Sequence, residues 1–181
     1  MRDLIIHPKD SSTDFLTTMY SSLPDKTVVT GGISKDKTIE LINSYDRITM
    51  CGHGSPTGLF SVGKFKSPFI IDSETVDVLS KKNNSIFIWC NADEFVNKYK
   101  LKGFYSGMFI SEVAEANYCG VPNTTQEMID ESNYSFCKAV SDNMDKPQEE
   151  MYKTVRHTYG ILGKTNKVAF YNWQRLYLSQ N

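Results

Sequence analysis

Arg47-Ile48-Thr49-Met50-Cys51-Gly52-His53-Gly54 and Ser85-Ile86-Phe87-Ile88-Trp89-Cys90-Asn91 are two short apolar runs, and each stops at a reactive side chain. Runs of this length, rich in β-branched and aromatic residues and closed by Gly or Asn, predict buried strands. In an open α/β sheet the functional groups gather beyond the carboxyl ends of the strands. If the two strands are neighbours, the His53 imidazole and the Cys90 thiol meet at one edge. A cysteine nucleophile needs that arrangement, because the thiolate attacks and a nearby base removes its proton.

Outward from these runs the chain alternates strand and helix. Leu4-Ile5-Ile6 predicts a first strand, ended by His7-Pro8. Asp10 to Thr13 offers helix caps ahead of Phe15, Leu16, Met19 and Leu23 at helical spacing. Thr27 to Thr30 predicts a second strand, stopped by Gly31-Gly32, and Ser34 caps a helix carrying Ile39, Leu41 and Ile42. Past His53, Ser55-Pro56-Thr57-Gly58 is a turn, and Leu59 to Gly63 with Phe69-Ile70-Ile71 predicts an accessory hairpin. A helix from Asp72 or Ser73 leads to the strand ending at Cys90, and a short helix covers Asp93 to Lys100. Lys102 to Gly107 is expected to be a loop and Met108 to Val113 a fifth strand, which Ala114 to Val121 extends or leaves as a loop. The last third is expected to be helical, with a capping box at Thr124-Thr125-Gln126-Glu127 and a helix between Pro147 and Gly160. Lys167 to Tyr171 is expected to be a sixth strand. This alternation predicts a three-layer α/β sandwich around a mostly parallel sheet of about six strands.

The 181 residues fit one domain, 1–181, with room for a core. Residues 1–121 would hold the sheet and both motifs, and 122–181 the helical part with a last strand. A net charge of −1 provides no footprint for nucleic acid or an anionic membrane. The longest apolar runs fall far short of the ~20 residues of a membrane helix. With no signal peptide evident, the expected location is the cytoplasm. The four cysteines, Cys51, Cys90, Cys119 and Cys137, form no Cys-x-x-Cys pair, so neither a metal site nor a cofactor is expected. They read as free thiols.

A hydrophobic block ending in His-Gly, followed by a second ending in Cys, resembles the signature of the caspase-like cysteine peptidases: caspases, metacaspases, gingipains, clostripain, separases and CHAT-domain proteins. Gly52-His53-Gly54-Ser55-Pro56-Thr57-Gly58-Leu59 is most similar to the CHAT-type motif, and Ile86-Phe87-Ile88-Trp89-Cys90 matches the second block. By element order the resemblance spans residues 1–121; the motifs themselves occupy about 20 residues. Thirty-seven residues separate His53 from Cys90, enough for one helix between adjacent strands. Two features depart from many members: a bulky Trp89 precedes the cysteine, and Asn91-Ala92-Asp93 follows it where Gly or Ser is common.

The resemblance implies an endopeptidase acting on a polypeptide. Cys90 would be the nucleophile, and His53 the base and then the acid. The amides of Gly54 and Cys90 would stabilise the oxyanion. Relatives that cleave after Arg or Lys place carboxylates in the first side-chain pocket, and Asp93, Glu112 and Glu115 are the candidates here. A preference for Asp would instead need an inward Arg. Arg47 sits at the wrong end of its strand, leaving Arg2, Arg156 and Arg175. Dimerisation through the last strand, as in some relatives, stays open. His7 and His157 read as structural, and Gly31-Gly32 as a tight turn lacking a nucleotide fingerprint. Two alternatives compete: a catalytically silent module of the same fold that binds a partner or ligand, and a Rossmann-like domain taking a nucleotide-type signal at Gly31-Gly32.

Overall fold

The computed structural model describes residues 2–62 and 67–179. Its frame is a six-stranded sheet. The strands are β1 (Asp3–Ile6), β2 (Lys26–Val29), β3 (Arg47–Cys51), β7 (Ser85–Ile88), β8 (Gly103–Ser106) and β9 (Leu176–Ser179). Their spatial order is β2-β1-β3-β7-β8-β9. All neighbours run parallel except β9, which is antiparallel to β8. A small antiparallel sheet of β4 (Gly54–Ser55), β5 (Gly58–Phe60) and β6 (Phe69–Ile71) leaves the main sheet right after His53. This is the predicted accessory hairpin; Gly63 lies outside the described residues.

Both faces of the sheet are covered, which explains why the strands read as continuous apolar runs rather than alternating ones. Leu4, Ile6, Ile48, Met50, Phe87 and Trp89 enter one core. There they meet Ile42 of α1 (Lys35–Ser44), Leu79 of α2 (Val76–Leu79) and Phe95 of α3 (Ala92–Tyr99). Ile5, Ile86, Ile88 and Phe104 enter the other core. Opposite them lie Leu16 and Met19 of a 3-10 helix (Ser11–Met19), Phe136 of α5 (Gln126–Ser141) and Val155 of α6 (Gln148–Leu162). The result is a three-layer α/β sandwich. Among the described residues no helix is long and apolar enough to cross a membrane.

Four expectations for the second half are corrected. Lys102 to Gly107 is not a loop: Gly103 to Ser106 forms the buried strand β8. Gly103 marks a close approach rather than a break, because a Cβ there would stand 2.2 Å from the Ser85 carbonyl oxygen of β7. Met108 to Val113 is not a strand. Its apolar residues are there to be buried, Phe109 against Phe136 and Ile110 beside Ala116, Ile129 and Val168. The backbone of this stretch is satisfied by a side chain instead of a neighbouring strand. Ile110 N donates to Asn172 Oδ1 (2.7 Å), and Asn172 Nδ2 donates to the Ile110 carbonyl (2.9 Å). The chain continues into α4 (Val113–Tyr118), so Ala114 to Tyr118 is helical, neither an extension of the strand nor a loop.

Lys167 to Tyr171 is also helical, within α7 (Lys167–Trp173). The Asn166 side chain accepts from the amides of Val168 and Ala169, and this cap overrides the β-propensity of Val168, Phe170 and Tyr171. The last strand comes later, as β9. Smaller shifts are a matter of one turn: Thr125 rather than Thr124 caps α5. Gly160 lies inside α6 rather than at its end, because the Trp173 indole packs on it.

His7, just past β1, is structural as expected. It is 4% exposed, with Nδ1 2.8 Å from the Tyr20 hydroxyl and Nε2 3.3 Å from Thr13 Oγ1. Burial pulls its pKa below the ordinary value, partly offset by the charge of Asp14. The unfolded chain therefore takes up a proton that the folded chain resists. This contribution to stability is whole above about pH 6.5 and is lost as the pH falls through the depressed folded pKa. Thermal midpoints measured from pH 7.5 down to 5 should fall, and should fall less in His7→Gln; an equal decline in both proteins would refute this.

Candidate active site

The parallel order sets the carboxyl ends of β1, β3, β7 and β8 along one rim, and the antiparallel β9 starts there. Beyond β3 the chain is gripped on both sides. Gly52 donates its N–H to the Ile88 carbonyl (3.1 Å), and the His53 carbonyl accepts from Phe60 N (2.9 Å). Gly52 turns with φ of +139°, in the region that favours glycine. Beyond β7, Asn91 adopts a left-handed conformation (φ 64°) and α3 begins at Ala92. Cys90 thus sits on the turn between a buried strand and a helix N-terminus.

His53 and Cys90 line one small notch together with Gly52, Ile88, Trp89, Phe109, Ser111 and, from the 3-10 helix, Thr13, Phe15 and Leu16. Its volume of about 20 Å³ holds roughly one water. Cys90 stays partly exposed, whereas Cys51 and Cys137 are fully buried. The Cys90 thiol donates to the Phe109 carbonyl at 3.5 Å. Burial pushes its pKa up to about 11, with smaller contributions from Glu115 and Cys119. The positive end of α3 acts in the opposite sense. At neutral pH the resting group is the thiol, so any nucleophile here has to be made by a base.

The imidazole is not isolated. His53 Nε2 lies 2.6 Å from Ser12 Oγ, and that hydroxyl lies 2.6 Å from Asp10 Oδ1. Asp10 Oδ1 also accepts from Ser12 N (3.0 Å), which is the cap of the 3-10 helix, and sits 3.8 Å from Nε2 itself. Its bonds from Ser12 hold the Asp10 carboxyl below its usual range. Read along the chain, Asp10 and Ser12 are only capping residues. Nothing in their sequence context indicates contact with a histidine 41 positions away.

Trp89, the departure noted before the cysteine, has a structural explanation. Its indole is 1% exposed, packs edge-on against Phe87 and Phe95, and donates Nε1–H to the Ser55 carbonyl at 3.1 Å. It lies across the main chain of Gly54, where a Cβ would stand 2.2 Å from Trp89 Cδ1 and 2.7 Å from the Gly58 carbonyl oxygen. The close approach that Gly54 permits is therefore that of the indole, which ties the histidine loop to the cysteine strand. Gly54→Ala must displace a buried tryptophan or a backbone carbonyl, at a cost of about 3 kcal/mol. Denaturant titration followed by Trp fluorescence should show that loss; a midpoint within error of the parent would refute it.

The three acids fall in different places. Asp93, in the first turn of α3, lies against Gly107 just past β8; a Cβ on Gly107 would sit 3.4 Å from Asp93 Oδ2. Among the described residues Asp93 Oδ1 is buried without a hydrogen-bond partner. Glu115 Oε2 accepts from Ser111 N, Ser111 Oγ and Glu112 N at 2.7, 3.0 and 3.1 Å, and so serves the start of α4. Glu112 is the N-cap residue of that helix, not the end of a strand.

Of the arginines, Arg47 pairs with Asp3 and the Met144 carbonyl at the opposite end of the sheet. Arg2 stacks over Tyr45 (5.5 Å). Arg156 stacks over Trp173 (4.4 Å) and donates to the Leu176 carbonyl (3.0 Å). Arg175, at the rim, lies 3.5 Å from the Tyr171 ring centre and donates to the Tyr171 carbonyl.

Gly32 borders a larger cavity, about 690 Å³, between the start of α1 and β6. Among the described residues that line it the cation is Lys35, which is bound to Asp72 (2.8 Å) and to the carbonyls of Phe69 and Ile70. Asp36 and Glu74 also line it, so its described residues make a poor setting for phosphate. Among the described residues no group of three or more His, Cys, Asp or Glu side chains could hold a metal ion. No protein-family model matches the chain, and no curated protein matches it in sequence.

Proposed function

We propose that the protein is a cysteine endopeptidase of the caspase-like type, with Cys90 as nucleophile and His53 as base. The observation that carries this is the pairing of β3 with β7, which delivers His53 and Cys90 to one notch on the carboxyl rim of a parallel sheet. The mostly parallel six-stranded sheet is the fold that the resemblance of the two motifs implies.

In this reading a polypeptide lies along the rim, since a notch of about 20 Å³ is too small to enclose a ligand. His53 takes the thiol proton, and the thiolate attacks the scissile carbonyl carbon. The backbone amides of Gly54 and Cys90 stabilise the oxyanion. Collapse expels the amine, which leaves with the proton from His53. Water, deprotonated by the same imidazole, then hydrolyses the thioester and regenerates the thiol.

Asp93 suits a basic first side chain. A buried carboxylate oxygen with no partner, three residues past the nucleophile, is completed by a cation entering between the ends of β7 and β8. Glu115 suits this role less, because three donors already occupy one of its oxygens.

One observation favours the second reading, a silent module of the same fold: the thiol is buried enough to raise its pKa to about 11. Peptide libraries with Arg, Lys or Asp at the cleaved position, assayed on the parent chain and on Cys90→Ala, separate the two. Cleavage that Cys90→Ala abolishes supports the peptidase. No cleavage, or cleavage that survives the substitution, refutes it.

A further inference from the structure

We propose that Ser12, itself oriented by Asp10, is a positioning residue that holds the His53 ring with Nε2 protonated and Nδ1 as its basic nitrogen. The inference deepens the peptidase reading and rests on it for the use made of Nδ1.

The argument is one of donors and acceptors. Asp10 Oδ1 receives two bonds, from Ser12 N at 3.0 Å and Ser12 Oγ at 2.6 Å. A carboxylate only accepts, so the Ser12 hydroxyl hydrogen points at Asp10. The hydroxyl oxygen then faces His53 Nε2, 2.6 Å away, with lone pairs alone. Two lone pairs cannot bond, so Nε2 must bring the hydrogen. In a neutral imidazole with Nε2–H, the lone pair resides on Nδ1, and that nitrogen is the one able to take a proton from a thiol.

The cap of the 3-10 helix does not account for this contact. Capping needs only the Ser12 amide on Asp10; the hydroxyl bond to a residue 41 positions away adds nothing to the helix start. The Asp10 carboxylate, 3.8 Å from Nε2, stands behind the hydroxyl and fixes the direction of its hydrogen. His53 and Asp10 side chains are 39% and 40% exposed, so water can take the place of a truncated Ser12, and the loss on truncation is graded rather than absolute.

The test reads the ring nitrogens directly. Protein labelled with ¹⁵N-histidine contains three rings, His7, His53 and His157. The parent should show a single neutral His53 tautomer, Nε2–H with an unprotonated Nδ1. Ser12→Ala should give two exchanging tautomers, and Ser12→Thr, which keeps the hydroxyl, should restore one. On a cleaved peptide, Ser12→Ala should lower kcat about 10-fold or more with KM within about 2-fold, and Ser12→Thr should recover most of it. A thermal midpoint close to the parent's separates this from general loosening.

An Nδ1–H ring in the parent, or a ring indifferent to Ser12→Ala, overturns the relay. If the parent cleaves no peptide yet its ring responds to Ser12 as described, the relay stands and the peptidase reading falls. If it cleaves and the ring ignores Ser12, the relay falls alone.

Discussion

Cys90→Ala is expected to reduce peptide cleavage to background while the fold survives. Removing the nucleophile from a coupled catalytic unit costs on the order of 10⁴- to 10⁶-fold, because the remaining groups have nothing to act through. His53→Ala should cost about 10²- to 10⁴-fold, the usual contribution of a positioned acid–base group. The raised thiol pKa sharpens the contrast, since without the imidazole almost no thiolate forms at neutral pH. Alkylation with iodoacetamide, read by mass spectrometry, offers an independent measure. Cys51 and Cys137 are fully buried and should stay unmodified, while the partly exposed Cys119 serves as an internal standard. His53→Ala should slow labelling of Cys90 and leave Cys119 alone. Equal rates at Cys90 with and without the imidazole would remove the basis for a dyad.

Asp93→Ala should carry the second-largest effect, and one specific to basic substrates. If a lysine or arginine of the substrate pairs with this carboxylate, truncation leaves a buried cation unpaired. Breaking such a pair costs about 3–5 kcal/mol, roughly 10²- to 4 × 10³-fold in kcat/KM. Cleavage after uncharged residues should change little. The unliganded protein should show the opposite sensitivity. Asp93 Oδ1 has no partner among the described residues, so its removal relieves an unsatisfied buried atom, and the thermal midpoint should not drop. A uniform fall across all substrates, or a marked loss of stability, would mean that Asp93 supports the fold instead of the substrate.

Much of the architecture could be read from residue order. The strands at Leu4, Ile48 and Ile86 were legible because each is an apolar run buried on both faces and closed by Gly, His or Cys, and the edge strand at Thr27, exposed at Val28, because its β-branched run stops at Gly31-Gly32. What misled lay after Tyr99. Gly103 has the look of a loop residue, yet it is the point where β8 comes within a Cβ's reach of β7. Met108-Phe109-Ile110 has the composition of a strand, but its backbone partner is an amide side chain 62 residues away, and no local pattern encodes that. Lys167 to Tyr171 has strand-like side chains, and a single asparagine cap makes it a helix.

The site was legible in its two reactive residues, because their strands were. Its other parts were not. Asp10 and Ser12 look like any helix start, and Gly54 gives no hint that a tryptophan lies across it. Glu112 and Glu115 were assigned to a strand end when they open a helix, which follows directly from the misread strand before them.

The Asn172 bridge ties the environment of the cysteine to the far end of the chain. The segment it clamps at Ile110 carries, one residue earlier, the carbonyl that receives the Cys90 thiol. Deamidation of that one amide would swap a donor for an acceptor without changing its shape. Two oxygens would then confront each other at Ile110, and slow chemical ageing in α7 would be felt at the sulfur.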